Sequence, residues 1–170
     1  IHGFQFIKRT LQNALSDETF HWIEGNTDTE HFYALFIDQL NTQPPPHTTQ
    51  HIADSLIRTI QQVQEWLSQK APSNYMTLNL VVSDGYRMVA IRYISSDEQP
   101  AKSLHYAYGR SCEHSDGQLH IHPLDNSQNH MVLVSSEKLS NKQEDWQKVP
   151  RNHALLYEPG YPPSFISIPE

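Results

Sequence analysis

A carboxylate in the first turn of a helix can hold a cation or can simply complement the helix dipole. Asp28 has that placement. It lies in the run GNTDTE, residues 25–30. Thr27 and Glu30 in this run have capping-box spacing: the Thr27 hydroxyl accepts from the Glu30 N–H, and the Glu30 carboxylate reaches back to the Thr27 N–H. Phe32, Leu35, Phe36 and Leu40 follow at helical intervals, so a helix starts here and buries one side. On a backbone fixed by its cap, Asp28 can face outward and grip a cation, with the Thr27 hydroxyl beside it. Helix initiation alone accounts for both residues equally well.

Three further sets of residues have chemistry-bearing types. Cys112 lies in GRSCEH, residues 109–114, where Arg110 and His114 are near in sequence. Cationic neighbours lower a thiol pKa and make a nucleophile, but a neighbour in sequence is not a partner in space, and a small edge or loop residue is the plainer reading. His120 and His122 alternate on one expected strand and so point to one face. With His105 or His114 from a neighbouring strand they would approach a zinc ligand set, although no finger-like spacing is present, and the expectation is scattered surface histidines and no metal. Arg92 sits among apolar residues in an expected inner strand. If buried it must be paired, and a structural ion pair is favoured over a substrate contact.

The elements that position these groups follow from periodicity. Phe4, Ile7, Leu11, Ala14 and Leu15 mark a first helix ending near Ser16 and Asp17. A short helical or irregular piece at 18–23 leads into Gly25. The helix that opens at Asp28 runs to about Leu40. Pro44, Pro45 and Pro46 stop it and make a stiff connector. Thr48 or Thr49 then caps a third long helix whose buried stripe is Ile52, Leu56, Ile60, Val63 and Leu67. A strand at 75–82, with Met76, Leu78, Leu80 and Val82 on one face, meets a strand at 86–94 through Asp84 and Gly85, read as a two-residue turn. The second strand is apolar on both faces, as in a sheet covered on both sides. Further strands are expected at 104–108, 119–124, 131–135, 154–157 and 165–168. Turns are expected at 115–118 and 124–129, and residues 141–150 read as a polar loop anchored by Trp146. Helices first and strands later make an α+β pattern.

Composition narrows the function classes. The 170 residues suffice for one domain with a core. A net charge of -7 argues against nucleic acid as a partner. Mean hydropathy is -0.62, and no apolar run approaches the roughly 20 residues of a membrane helix. A lone cysteine rules out an internal disulfide and fits the cytoplasm.

The motifs together resemble the class II glutamine amidotransferases, a group of N-terminal nucleophile (Ntn) hydrolases. GNTDTE opening an amphipathic helix resembles the family's substrate motif. SDGYRMVAIRY at 83–93 resembles its DG hairpin. VSSEKL at 134–139, followed by DWQKVPRNH at 145–153, resembles a run of its stand-alone members, which include γ-glutamyl hydrolases of ergothioneine synthesis and glutathione breakdown. The resemblance implies part of a four-layer αββα sandwich. It also implies that Asp28 binds the α-amino group of a glutamine-like substrate, and that Glu137, at the Glu of the VSSEKL run, supports the site or merely belongs to a turn. It implies no cofactor. The family's N-terminal Cys, its oxyanion Asn-Gly and its carboxylate-binding Arg match positions upstream of Ile1. Residues 1–170 therefore read as the later portion of the domain, inactive as a glutaminase by itself. The implied partners are a γ-glutamyl substrate, the upstream segment and an associated enzyme subunit; a non-catalytic scaffold of the same fold is the rival expectation.

Overall fold

The computed structural model describes residues 1–125 and 130–169. The chain forms two compact units. One comprises residues 1–77, 94–99 and Pro169; the other comprises 78–93 and 100–168.

The first unit is helical: α1 (Phe4–Ala14), α2 (Asp17–His21), α3 (Asp28–Asn41) and α4 (Thr49–Lys70). Helices α1, α3 and α4 pack against one another, and α2 packs on α3. The expected stripe of α4 is buried throughout, from Ile52 to Leu67, and meets Ile7 and Leu11 of α1 and Phe32, Leu35 and Phe36 of α3 as the unit's core residues. Ala14, expected on the inner face, is exposed because α1 ends there, and Leu40 is only half-buried. Thr48, not Thr49, caps α4: its hydroxyl accepts from the His51 N–H at 3.1 Å, and the His51 ring closes the box. Polar ties fix the helices' registers. Asp38 of α3 accepts from the Ser16 N–H at 2.7 Å and from the hydroxyls of Ser16 and Thr19 at 2.8 Å. Gln39 donates to Gln62 across α3 and α4 at 2.9 Å. Among the described residues no helix is long and apolar enough to cross a membrane.

The second unit is built from strands β1 (Thr77–Ser83), β2 (Met88–Ile94), β3 (His105–Gly109), β4 (Ser111–Ser115), β5 (Gln118–His122), β6 (Met131–Ser135), β7 (Trp146–Lys148), β8 (His153–Tyr157) and β9 (Ser164–Ser167); Thr77 and Ile94, at the ends of β1 and β2, belong to the first unit. They form a sheet of order β1-β2-β8-β9, a sheet of order β6-β3-β7 and the hairpin β4-β5. The β2-β8, β8-β9, β3-β6, β3-β7 and β4-β5 pairings are antiparallel. Two of the sheets share a core: Ala90, Leu155 and Tyr157 from one meet Tyr106, Tyr108, Val132 and Val134 from the other, with Leu104 and Val149. Every β2 residue from Val89 to Ile94 is buried, as its two apolar faces require. The result is the α+β class with antiparallel sheets.

Three turns and strands depart from the sequence reading. Asp84 and Gly85 do not make a two-residue turn. The loop is four residues, 84–87, because the Asp84 carboxylate accepts from the N–H groups of Tyr86 and Arg87 at 2.9 and 2.6 Å and closes a wider turn. The two-residue hairpin is instead Asp116-Gly117, whose positive φ values of 52° and 73° join β4 to β5. Polar residues hid β4, and the supposed loop at 141–150 contains a 3-10 turn and β7, held by the buried Trp146 whose indole N–H donates to Ser140 at 2.9 Å. The turn expected at 124–129 falls partly on residues 126–129, outside the described residues.

Gly109 ends β3 where β5 crosses it. A Cβ there would lie 2.5 Å from the His122 carbonyl oxygen, a backbone atom that cannot rotate away. Gly109→Ala should therefore destabilise the protein by about 1–3 kcal/mol, read as a lower denaturant midpoint; an unchanged midpoint would mean that the hairpin shifts freely.

Candidate functional site

Thr27 caps α3, with φ -76° and ψ 148°, and its hydroxyl accepts from the Glu30 N–H at 3.3 Å. The other half of the expected box is different. Glu30 does not return to the Thr27 N–H; its carboxylate accepts from the N–H groups of Glu24 and Gly25 at 2.8 and 3.0 Å. It thus clamps the loop leading into the helix. A Cβ at Gly25 would meet a Glu30 carboxylate oxygen at 2.7 Å, so that carboxylate would have to shift to admit one. Lys8 of α1 adds a second tie to this loop, donating to the Asn26 side-chain amide oxygen at 2.5 Å.

The Gly25 and Glu24 N–H groups hold the Glu30 carboxyl below its ordinary value of 4.5. A lowered carboxyl stabilises the fold fully above the ordinary value and loses that contribution as pH falls through the lowered one. The stability difference between the protein and Glu30→Gln should therefore be constant near neutrality and shrink below pH 4.5. Denaturation at a series of pH values checks this; a difference that widens in acid would contradict it.

Asp28 stands one residue into α3, a third exposed. Its carboxylate binds the α-ammonium of Ile1. Burial raises its pKa, but the hydrogen bond and charge of that ammonium, together with the Thr29 N–H, prevail and leave the carboxyl below its usual range. Immediately along the chain, the His2 N–H donates to the Tyr75 carbonyl at 3.1 Å, and the His2 ring stacks on Tyr75 at 4.2 Å. Tyr75 walls a polar cavity of about 450 Å³ shared with Asn74, Ser95 and Glu98. This corner of the helical unit thus has a carboxylate on a capped first turn, with a polar recess nearby.

The other candidates lie in the second unit. Arg92 is 5% exposed, and its guanidinium donates to the carbonyls of Lys102, Val149 and Ala101 at 2.7, 3.0 and 3.0 Å. The expected ion pair is thus replaced by carbonyl oxygens, which gather the segment entering β3 and the one leaving β7. Burial, then the charge of Arg151, lowers its pKa. Glu137 is exposed, and the turn it occupies is closed by its own N–H donating to the Ser135 hydroxyl at 3.3 Å. Cys112 is exposed on β4. Arg110 is engaged with Asp125 at 2.8 Å. His120 and His122 do share a face of β5, opposite Glu113 and Ser111, while His114 pairs with Leu119 on the other face. Among the described residues no group of three or more His, Cys, Asp or Glu could hold a metal ion.

Sequence reasoning missed His31. It is fully buried between α1 and α3, with Nδ1 2.8 Å from the Thr27 carbonyl oxygen and Nε2 3.1 Å from the Gln12 amide nitrogen. Its spacing from Leu35, one helical turn on, was the available signal.

Residues 7–169 match the family model of class-II glutamine amidotransferases. The chain belongs to that family. A curated family relative, the probable glutamine amidotransferase DUG3 of Saccharomyces cerevisiae, is 34% identical over 167 residues, which is 91% of this chain and 46% of that protein. The chain thus spans about half the length of the curated relative it matches. A glutamine aminotransferase class-II domain protein from Silicibacter pomeroyi shares the fold with a TM-score of 0.69 at 21% identity, over 99% of this chain and 64% of that one.

Proposed function

We propose that the complete protein hydrolyses a γ-glutamyl amide through a cysteine thioester, with Asp28 holding the α-ammonium of the substrate. The observation that carries this reading is the placement of Asp28, a third exposed on the capped first turn of α3, where a carboxylate can take the α-ammonium that a glutamine-like substrate presents. In the reading drawn from the family, a cysteine thiol from outside residues 1–170 attacks the amide carbon. Its proton passes through the cysteine's own α-amine to the leaving nitrogen, and water then splits the thioester. Asp28 converts binding energy at the amino-acid end into orientation of the amide. Thr27 fixes the first turn of α3, and the antiparallel sheets and helices are components of an αββα Ntn sandwich in a cytoplasmic protein.

The test uses the full-length protein with glutamine and with a γ-glutamyl peptide, following glutamate release and ammonia. Glutamate from either substrate, lost on changing the N-terminal cysteine to alanine, is the expected result. Ammonia from glutamine identifies an amidotransferase, and preference for the peptide identifies a γ-glutamyl hydrolase. No turnover of either, alone or with co-purifying subunits, would make the protein a non-catalytic member.

A further inference from the structure

We infer that His31 is the positioning residue for the Asp28 carboxylate, acting through the Thr27 carbonyl and held in place by Gln12. The inference rests on Asp28 binding the substrate's ammonium. His31 lies three residues after Asp28 and is fully buried beside Phe32 and Leu35. An imidazole in such a place is costly unless both ring nitrogens have partners, and both do. A carbonyl oxygen only accepts, so the proton sits on Nδ1, which donates to Thr27 at 2.8 Å. Nε2 then accepts from the Gln12 amide at 3.1 Å. The Phe4 ring meets the imidazole edge-on at 5.2 Å, so α1 fixes both ring position and tautomer.

The oxygen that His31 holds belongs to the peptide plane whose nitrogen is that of Asp28. Orienting this plane orients the bond from which the Asp28 side chain departs. The other bonds closing the first turn are long: the His31 N–H reaches the same oxygen at 3.4 Å, and the Glu30 N–H reaches the Thr27 hydroxyl at 3.3 Å. The ring supplies the shortest of the three. A leucine would fill the space but could not make that bond.

The experiment compares two substrates of the full-length protein: a γ-glutamyl amide, and the same amide lacking the α-amino group. In His31→Leu, kcat/KM for the amino-bearing substrate should fall about tenfold, chiefly through KM, with the desamino substrate changed less than about twofold. His31→Asn places an amide N–H near the Nδ1 position and should restore most of the preference. Gln12→Met, which removes only the outer bond, should reduce the preference by a smaller factor and serves if His31→Leu does not fold. The ratio is insensitive to how much enzyme is folded, so a merely structural role would lower both substrates alike and leave the preference intact. That result, or an Asn variant indistinguishable from Leu, overturns the role of His31 alone. A wild-type protein with no preference between the substrates overturns the Asp28 reading and this one together.

Discussion

Asp28→Ala in the full-length protein should lower kcat/KM for a γ-glutamyl amide by about two orders of magnitude, as expected when one partner of a partly buried, hydrogen-bonded charge pair is removed. The carboxylate is a third exposed, which places the effect at the lower end for such pairs. Asp28→Asn keeps the shape but loses the charge, so it should recover little activity. Folding should change little in either variant, because Thr27 and Glu30 still close the turn and its approach. The pH dependence has a definite sign. An ammonium held against a carboxylate keeps its pKa below the ordinary value, so with substrate bound Asp28 stays ionised through neutrality. Affinity for the amino-bearing substrate should therefore hold as pH falls toward that value and fail only below it. Steady-state kinetics with both variants and the desamino substrate check all of this; a full-activity Asp28→Ala protein removes the residue from the site.

How much of this corner was legible beforehand depended on whether the bonds were local. Thr27 as a cap and Asp28 in the first turn follow from three consecutive positions, and they appear as read. Glu30 was half right: its cap N–H bond is local, but its carboxylate found the better-placed N–H pair of Glu24 and Gly25, which requires knowing how the preceding loop folds. His31 is defined by Gln12, nineteen residues away, and no spacing rule connects them. The same division runs through the fold. The stripe of α4 was readable because five apolar residues recur at helical period. Strand β4 was not, because Ser111, Glu113 and His114 have no apolar alternation, and what makes the segment a strand is its pairing with β5. The two Asp-Gly pairs show the limit most directly. Both have the same letters, yet Asp84 spends its carboxylate on two N–H groups and widens its loop, while Asp116 adopts the positive φ that a two-residue turn demands.

Arg92→Met should be the most damaging single change to stability, costing about 3 kcal/mol or more. The side chain it removes is 5% exposed and serves three carbonyl oxygens on two separate segments. Each bond from a charged donor contributes about 1.5–3 kcal/mol, and a buried acceptor left without a donor costs about 1–3 kcal/mol. Methionine replaces the apolar contact but none of the donors. Water can reach the outer carbonyls of Ala101 and Lys102, which is why the sum is not simply three times one bond; the Val149 oxygen, whose bond is buried, has no such recourse. Arg92→Lys tests geometry against charge. It keeps the cation and offers three donors from one nitrogen, which cannot span oxygens set around a planar guanidinium. It should therefore recover only part of the loss, leaving the midpoint of thermal unfolding between those of the parent and the methionine variant. If lysine restored full stability, charge alone would be sufficient there. If methionine did so, the three carbonyls would be finding water, and the guanidinium would be free to be read as a substrate contact after all.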